Sequence, residues 1–256
     1  MNADWKSRYD LAIDIAKQAG ALARRYYETT FEVHKKSDES PVTVADREAE
    51  QLIRAAVTKA FPQDGFLGEE FGDQPGSSGF RWIIDPIDGT KSFIRHIPLW
   101  GTLVGLEYQG EQIGGVVDVP VLGMTYRALR GDGAFVNERR IRVSNIDTLS
   151  DAVLCYSSIS WFVKEQKERM FLDLAAKTYR QRGFGDFYGF VLVAEGACEL
   201  MVDTGVHAWD VAAVKAIVEE AGGKLTDWDG VPNIERPDVL ASNGKLHGEV
   251  LKLLKS

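Results

Sequence analysis

Apolar residues recur at helical spacing from the start of the chain. Leu11, Ile15, Ala19, Leu22 and Tyr26 share one face, so the spacing predicts an amphipathic helix over roughly residues 6–28. A polar stretch from His34 to Ser40 ends at Pro41. A second helix is predicted from about Thr43 to Ala60, with Ala49, Leu52, Ile53, Ala56 and Val57 as its buried face and Phe61-Pro62 as its stop. The pattern then shortens. FLGEE reads as a strand with a charged end, Gln74–Gly79 as a loop, and RWIID as a buried strand that ends at Asp85. After the segment DPIDGTKSF come three β-rich runs, Leu99–Tyr108, Gln112–Val119 and Met124–Arg130. Turn signals at Gln109-Gly110 and Gly131–Gly133 make these antiparallel sheet.

From about residue 144 strand and helix patterns alternate. AVLCYS, RQRGF, ELMVD, KLTDW and VLASN read as strands. Helices are predicted over Trp161–Tyr179, Asp186–Gly196 and Trp209–Ala221, the last closed by Gly222-Gly223, and another ends the chain. An α+β half, residues 1–143, is thus followed by an α/β half, residues 144–256.

Composition narrows the class. The chain has 256 residues, 45% of them hydrophobic, enough for one large domain or two closely packed subdomains. A net charge of −8 argues against a nucleic-acid partner. It leaves room for a phosphorylated one, because a bound metal inverts the sign of a site. Cys155 and Cys198 lack zinc-site spacing and read as buried thiols in a reducing compartment. MNADWKSRYD carries no apolar targeting segment, and no apolar run is long enough to span a bilayer. A soluble, cytoplasmic protein with no membrane partner is expected.

The candidate chemistry lies in acids placed far apart along the chain. Magnesium takes hard oxygen ligands in near-octahedral geometry, so a site for it needs several carboxylates converging from different elements. WIIDPIDGT, residues 82–90, carries Asp85 and Asp88 on one loop, with the Ile87 carbonyl between them. Gly89 allows close backbone approach to an anion, and a helix starting near Thr90 would offer free N–H groups and a hydroxyl. The plainer reading is a tight turn with Asp88 as helix N-cap. Glu69 and Glu70 follow an apolar pair in GEEFG. Asp210 opens the apolar helix of HAWDVAAVKAIVEEAGG, where a dipole role would also suit it. Asp46, three residues after Thr43, fits a capping box.

With GEE at 68–70, WIIDPIDGT at 82–90 and WDVAA at 209–213, the sequence resembles the inositol monophosphatase superfamily of magnesium-dependent, lithium-sensitive phosphomonoesterases. The likeness runs along nearly the whole chain. It implies a layered αβαβα sandwich of the inositol monophosphatase and fructose-1,6-bisphosphatase type, commonly a homodimer. It implies two or three Mg2+ ions, with Mn2+ a substitute, held by Glu69, Asp85, the Ile87 carbonyl, Asp88 and Asp210. Asp88, Gly89 and Thr90 would hold phosphate; Asp46, Glu69 and Thr90 would serve the attacking water; Glu70 would stand behind.

Substrate choice rests on the second half. Inositol-specific members carry a glutamate seven residues before the WD aspartate, where this chain has Asp203. A segment of small residues in the family is FGDFYG here, residues 184–189. With SF after DPIDGTK, Pro98–Trp100 and TDWDG, these features resemble the histidinol-phosphate phosphatase branch, which implies a role in histidine biosynthesis. Asp186 and Asp203 are expected to pair with the ammonium and imidazole of a small phosphorylated metabolite, and Phe187 or Tyr188 to pack on its ring. Alternatively these aromatics are core, and His96 and His207 are structural. Two other functions stay open: an inositol-phosphate or broad sugar-phosphate phosphatase, and a non-catalytic metal-binding regulatory protein.

Overall fold

Side chains alternate faces along a strand, and each sheet here has different neighbours on its two faces. The computed structural model describes residues 2–28, 33–35 and 41–255. Of the polar stretch after the first helix, residues 36–40 lie outside the described residues. Helix α1 (Ala3–Tyr27) is followed by a small antiparallel pair, β1 (Val33–Lys35) and β2 (Pro41–Thr43), and by α2 (Val44–Ala60).

An eight-stranded sheet holds β3 (Gly65–Gly68), β4 (Gly72–Gln74), β5 (Phe80–Asp88), β6 (Gly101–Tyr108), β7 (Glu111–Val119), β8 (Met124–Leu129), β9 (Gly133–Val136) and β10 (Arg139–Ile141). Its order is β10-β9-β8-β7-β6-β5-β3-β4, and only the β3–β5 pair is parallel. Helix α3 (Thr90–Phe93) is one turn between β5 and β6.

The second sheet has five strands: β11 (Val153–Tyr156), β12 (Arg180–Arg182), β13 (Leu200–Thr204), β14 (Lys224–Thr226) and β15 (Asp238–Ser242), ordered β12-β11-β13-β15-β14. Its helices are α4 (Ile159–Lys164), α5 (Glu168–Lys177), α6 (Asp186–Ala194), α7 (Ala208–Glu220) and α8 (His247–Leu254).

The faces sort the layers. Trp82, Ile84, Val104, Leu106 and Val116 pack on Ala12, Ile15, Ala19, Ala49 and Ile53 of α1 and α2. Their strand neighbours Ile83, Leu103 and Val117 turn the other way, onto Val211, Val214 and Val218 of α7 and Phe190 of α6. Cys155, Met201, Val239 and Ala241 of the second sheet meet α6 and α7 from beyond. Leu154, Leu200, Val202 and Leu240 face outward onto Phe162, Phe171, Leu174 and Val250. The layering is therefore αβαβα, as the resemblance implied. The sheets fall on either side of residue 143, yet the central core mixes residues from both.

Helix α7 lies unusually close to the first sheet. A Cβ on Gly115 would sit 2.1 Å from the Ala213 carbonyl oxygen, and one on Gly105 would sit 2.8 Å from the Ala212 Cβ. Two glycines and two alanines thus set the depth of the helix that carries Asp210.

Several elements differ from the sequence expectation. Strand β5 does not end at Asp85 but continues to Asp88. Strands β9 and β10 extend the first sheet where only a turn was expected. The single helix over Trp161–Tyr179 is two, because the chain turns at Gln166, whose φ is 57°. The break falls in the polar run Lys164–Arg169, where the apolar pattern lapses between Val163 and Met170. Gln109 and Gly110 do form the expected turn, both with positive φ (52° and 82°), the geometry that tight hairpins favour.

A structural histidine ties α8 to the second sheet. His247 is buried, with Nε2 at 2.9 Å from Thr226 Oγ1 and Nδ1 at 2.8 Å from Ser242 Oγ. Burial, then nearby Lys224, lowers its pKa to about 4.

Two outcomes are expected. Because the folded pKa of His247 lies below its unfolded value of about 6.5, the unfolded chain takes up the proton first as pH falls. Its contribution is complete above about pH 6.5 and is lost towards pH 4; urea titrations should show that slope in wild type and its absence in His247→Gln. Gly115→Ala should lower stability by about 1–3 kcal/mol through overpacking. Gly248→Ala in α8, where a Cβ meets nothing within 4 Å, should be neutral or stabilising by up to about 1 kcal/mol in the same titration.

Candidate active site

Residues three apart in a regular strand point to opposite faces. Asp85 and Asp88 nonetheless share one, because β5 is bulged between them. Asp85 pairs with Leu103 and Asp88 with Gly101, so two residues of β5 span one of β6. Pro86 sits in the bulge, where a missing N–H costs no ladder bond, and its carbonyl accepts from Thr102 Oγ1 at 2.8 Å. Asp85 Oδ1 accepts the Ile87 N–H at 3.0 Å and fixes the turn. Both carboxylates consequently face α7, on the side where Leu103 packs.

Helix α7 brings the third acid. Asp210 lies in its first turn and accepts the His207 N–H at 2.7 Å, so it caps the helix as well as facing the strand. Carboxylate oxygens of Asp85, Asp88 and Asp210 lie within 4.8 Å of one another. Asp85 and Asp88 are buried.

Their electrostatics follow from that crowding. Burial, then repulsion from Glu69, Asp88, Asp210 and Asp46, pushes the Asp85 carboxyl well above the usual carboxylate range. Burial, then Asp186 and Asp210, does the same to Asp88, although the Phe187 N–H donates to its Oδ2 at 2.5 Å and works the other way. The arrangement is expensive for anions with no cation among them. An all-oxygen, hard donor set at this spacing fits a divalent ion such as magnesium, and the raised pKa values mark unmet charge rather than a core satisfied by its own contacts.

The acids open onto a cavity of about 410 Å3. Glu69, Asp85, Asp88, Gly89, Thr90 and Asp210 line it together with Ser157, Trp161, Asp186, His207 and Trp209. Gly89 is the N-cap of α3 with φ 83°, so Asp88 is not the cap, as the plainer sequence reading had it. A Cβ at Gly89 would come 2.8 Å from the Leu99 carbonyl oxygen, which gives a second reason for glycine. Thr90 Oγ1 donates to the Ile87 carbonyl at 3.0 Å, so that carbonyl already carries one hydrogen bond. Asp46, buried on α2, is close enough to raise Asp85.

The loop bearing Glu69 is shaped by a residue the sequence reading passed over. Glu50 is fully buried on α2, accepts the Glu70 N–H at 2.8 Å and pairs with Arg54 at 2.7 Å. Gly68 must be small because a Cβ there would lie 1.9 Å from Glu50 Oε1. Only the i, i+4 Glu–Arg spacing on α2 hinted at this.

The substrate-side expectations divide. Asp186 reaches the cavity; it is the first residue of α6, with φ 52°, and Gly185 is the cap. Burial, then Asp210, raises its pKa to about 6 against the pull of Lys91. Asp203 does not reach the cavity wall. It is buried on β13, and its Oδ1 accepts the Thr204 N–H at 2.9 Å. Burial raises its pKa, helped by Asp186 and Asp210 nearby. Phe187 is fully buried against Gly101, and Tyr188 packs on the central core, so neither presents a ring to a ligand there. The cavity aromatics are Trp161 and Trp209; His207 stacks on Trp209 at 4.8 Å. His96 packs edge-on against Tyr27, away from the cavity lining. The two cysteines are a buried pair of free thiols with Sγ atoms 3.1 Å apart.

Among the described residues no helix is long and apolar enough to cross a membrane. The chain is 41% identical to a histidinol-phosphatase of Chlorobaculum parvum over 94% of its length and 93% of the relative's. It is 40% identical to a histidinol-phosphatase of Mycobacterium tuberculosis over 96% of its length and 97% of that protein's. Its fold superposes on the extragenic suppressor protein suhB of Bartonella henselae with a TM-score of 0.92, at 32% identity, covering 98% of this chain and 99% of that one. The profile of the inositol monophosphatase family matches residues 4–256. With its acids gathered at one cleft between the sheets and that match end to end, the chain belongs to the inositol monophosphatase family.

Proposed function

We propose that the chain is a magnesium-dependent phosphomonoesterase whose substrate is L-histidinol phosphate, released as L-histidinol and phosphate in histidine biosynthesis. The observation that carries this is the acidic cavity: three carboxylates within 4.8 Å of one another, with a fourth, Asp186, at its lining beside Gly89 and outside that group. The three suit a cation-bridged phosphate; the fourth adds negative charge that suits an ammonium on the same small molecule.

Glu69, Asp85, the Ile87 carbonyl, Asp88 and Asp210 would hold the ions. Magnesium, when bound, supplies Lewis-acid charge to the phosphoryl oxygens and makes water a stronger nucleophile. The protein does the rest by position. The first-turn N–H groups of α3 have no intrahelical acceptor and suit the phosphate oxygens. Thr90 and Asp46 orient the attacking water, with Thr90 held in place through the Ile87 carbonyl. Asp186 receives the substrate's cation, and that pairing favours its ionised form. Asp203 stays behind the cavity wall, where burial favours its neutral form. Relatives bearing the histidinol-phosphatase name at about 40% identity support the substrate. Manganese as substitute, lithium inhibition, a homodimer and a cytoplasmic site are parts of the same proposal, supported by family membership.

Asp88→Asn keeps an acceptor for the Phe187 N–H and removes one charge. Its phosphate release with magnesium should fall at least about 100-fold, beyond the loss usual for outer partners of a metal site. Its melting temperature without metal should rise, since a buried, repelled carboxylate is gone, and the rise on adding magnesium should shrink. Near-normal turnover would remove Asp88 from the site.

A panel of histidinol phosphate, myo-inositol 1-phosphate, fructose 1,6-bisphosphate and phosphoadenosine phosphate decides the substrate by kcat/KM. Histidinol phosphate should lead. Asp186→Asn should cost it about 10-fold or more, the scale of a lost charged contact, while inositol phosphate changes little. An inositol phosphate preference in the wild-type protein would transfer the assignment to that substrate.

A further inference from the structure

The aromatic seat expected on Phe187 or Tyr188 is absent from the cavity, yet an indole stands in its place. Trp161, on the short helix α4, lines the active-site cavity and also a neighbouring one of about 570 Å3. Both cavities share Trp161, His207 and Trp209, so these rings form the wall between them. The second cavity is bounded by Leu67, Val206 and Pro237 and carries Arg81 and Glu235 at its polar edge.

Trp161 is held as a plate. Gly205 lies beneath it, and a Cβ there would sit 3.2–3.5 Å from Cε3, Cδ2 and Cζ3 of the indole. The φ of Gly205 is 83°, so both backbone and packing exclude a side chain under the ring. Lys164 Nζ lies 4.5 Å from the ring centroid and Lys91 Nζ 5.7 Å, so the indole already attracts cations. Gly205 also opens the loop from β13 to α7, the helix of Asp210, so the plate is referenced to the reacting centre through a single short connection.

We infer that Trp161 is the specificity-determining residue: the flat ring of the substrate's alcohol portion stacks on it, between the phosphate loop and the neighbouring cavity. This rests on the substrate class proposed above and assigns its ring to a residue. A rigid plate favours flat, polarisable, partly cationic rings through stacking and cation–π attraction. A polyol offers no such face. Discrimination between the two therefore belongs to Trp161, while bond cleavage belongs to the acids.

The test is the ratio of kcat/KM for histidinol phosphate to that for glycerol 2-phosphate, a ring-free ester, in wild type, Trp161→Leu and Trp161→Phe. Trp161→Leu should lower the ratio about tenfold, mainly through KM for the ring-bearing ester, as stacking losses of this kind do. Trp161→Phe should restore it to within about threefold of wild type, since a smaller plate remains. An unchanged ratio in Trp161→Leu, or equal loss on both esters, overturns the inference. A wild-type ratio below one would instead count against the substrate proposal, while a further drop in Trp161→Leu would still identify the plate. Because each protein is its own reference, a partly folded variant lowers both rates and leaves the ratio readable.

Discussion

Repulsion among buried carboxylates is the constraint on which the rest of this structure depends. Asp85, Asp88 and Asp210 stand within 4.8 Å of one another, with Glu69, Asp46 and Asp186 near enough to be felt. Left to themselves such groups would take up protons or move apart. Moving apart is not free here, because each acid is fixed by backbone that does other work. Asp85 closes the turn at Ile87, Asp88 receives the Phe187 N–H, and Asp210 caps α7. The fold spends stability to hold an unmet negative charge, and a divalent cation is the natural answer to it.

That placement is paid out of packing rather than out of hydrogen bonds. The bulge in β5 turns Asp88 onto the same face as Asp85. Gly105 and Gly115 then let α7 descend until its backbone touches the sheet. A helix resting on ordinary side chains would ride higher and take Asp210 with it. Gly68 and Glu50 play the same part for the loop of Glu69. Small residues at close approaches act at a distance from the chemistry by setting where its groups can be.

The two halves of the cleft divide the labour. In the proposed function, the first sheet would supply the metal and phosphate groups from β5 and α3. The second sheet and its helices would supply those that meet the alcohol, with Asp186, Trp161 and the His207–Trp209 stack. Helices α6 and α7 lie between the two and pack on both sheets.

What the sequence by itself determined is local and repetitive. Period-2 and 3.6-residue patterns located most strands and helices, and WIIDPIDGT with WDVAA identified which acids to watch. It failed wherever direction depended on a partner. The helix break at Gln166 lies in the polar run Lys164–Arg169, which on spacing alone also reads as the solvent-facing part of one helix. Asp203 looked like a substrate contact from its distance to Asp210, yet strand pairing with β15 buries it behind the wall. Phe187 and Tyr188 looked available, and the central core took them. Trp161 carried no motif and lines the cavity with Trp209. Spacing along a chain reports what a residue is and which neighbours share its face. Only tertiary packing, through a one-residue bulge and a few missing Cβ atoms, decides which faces meet and which side chains are left looking at the solvent between them.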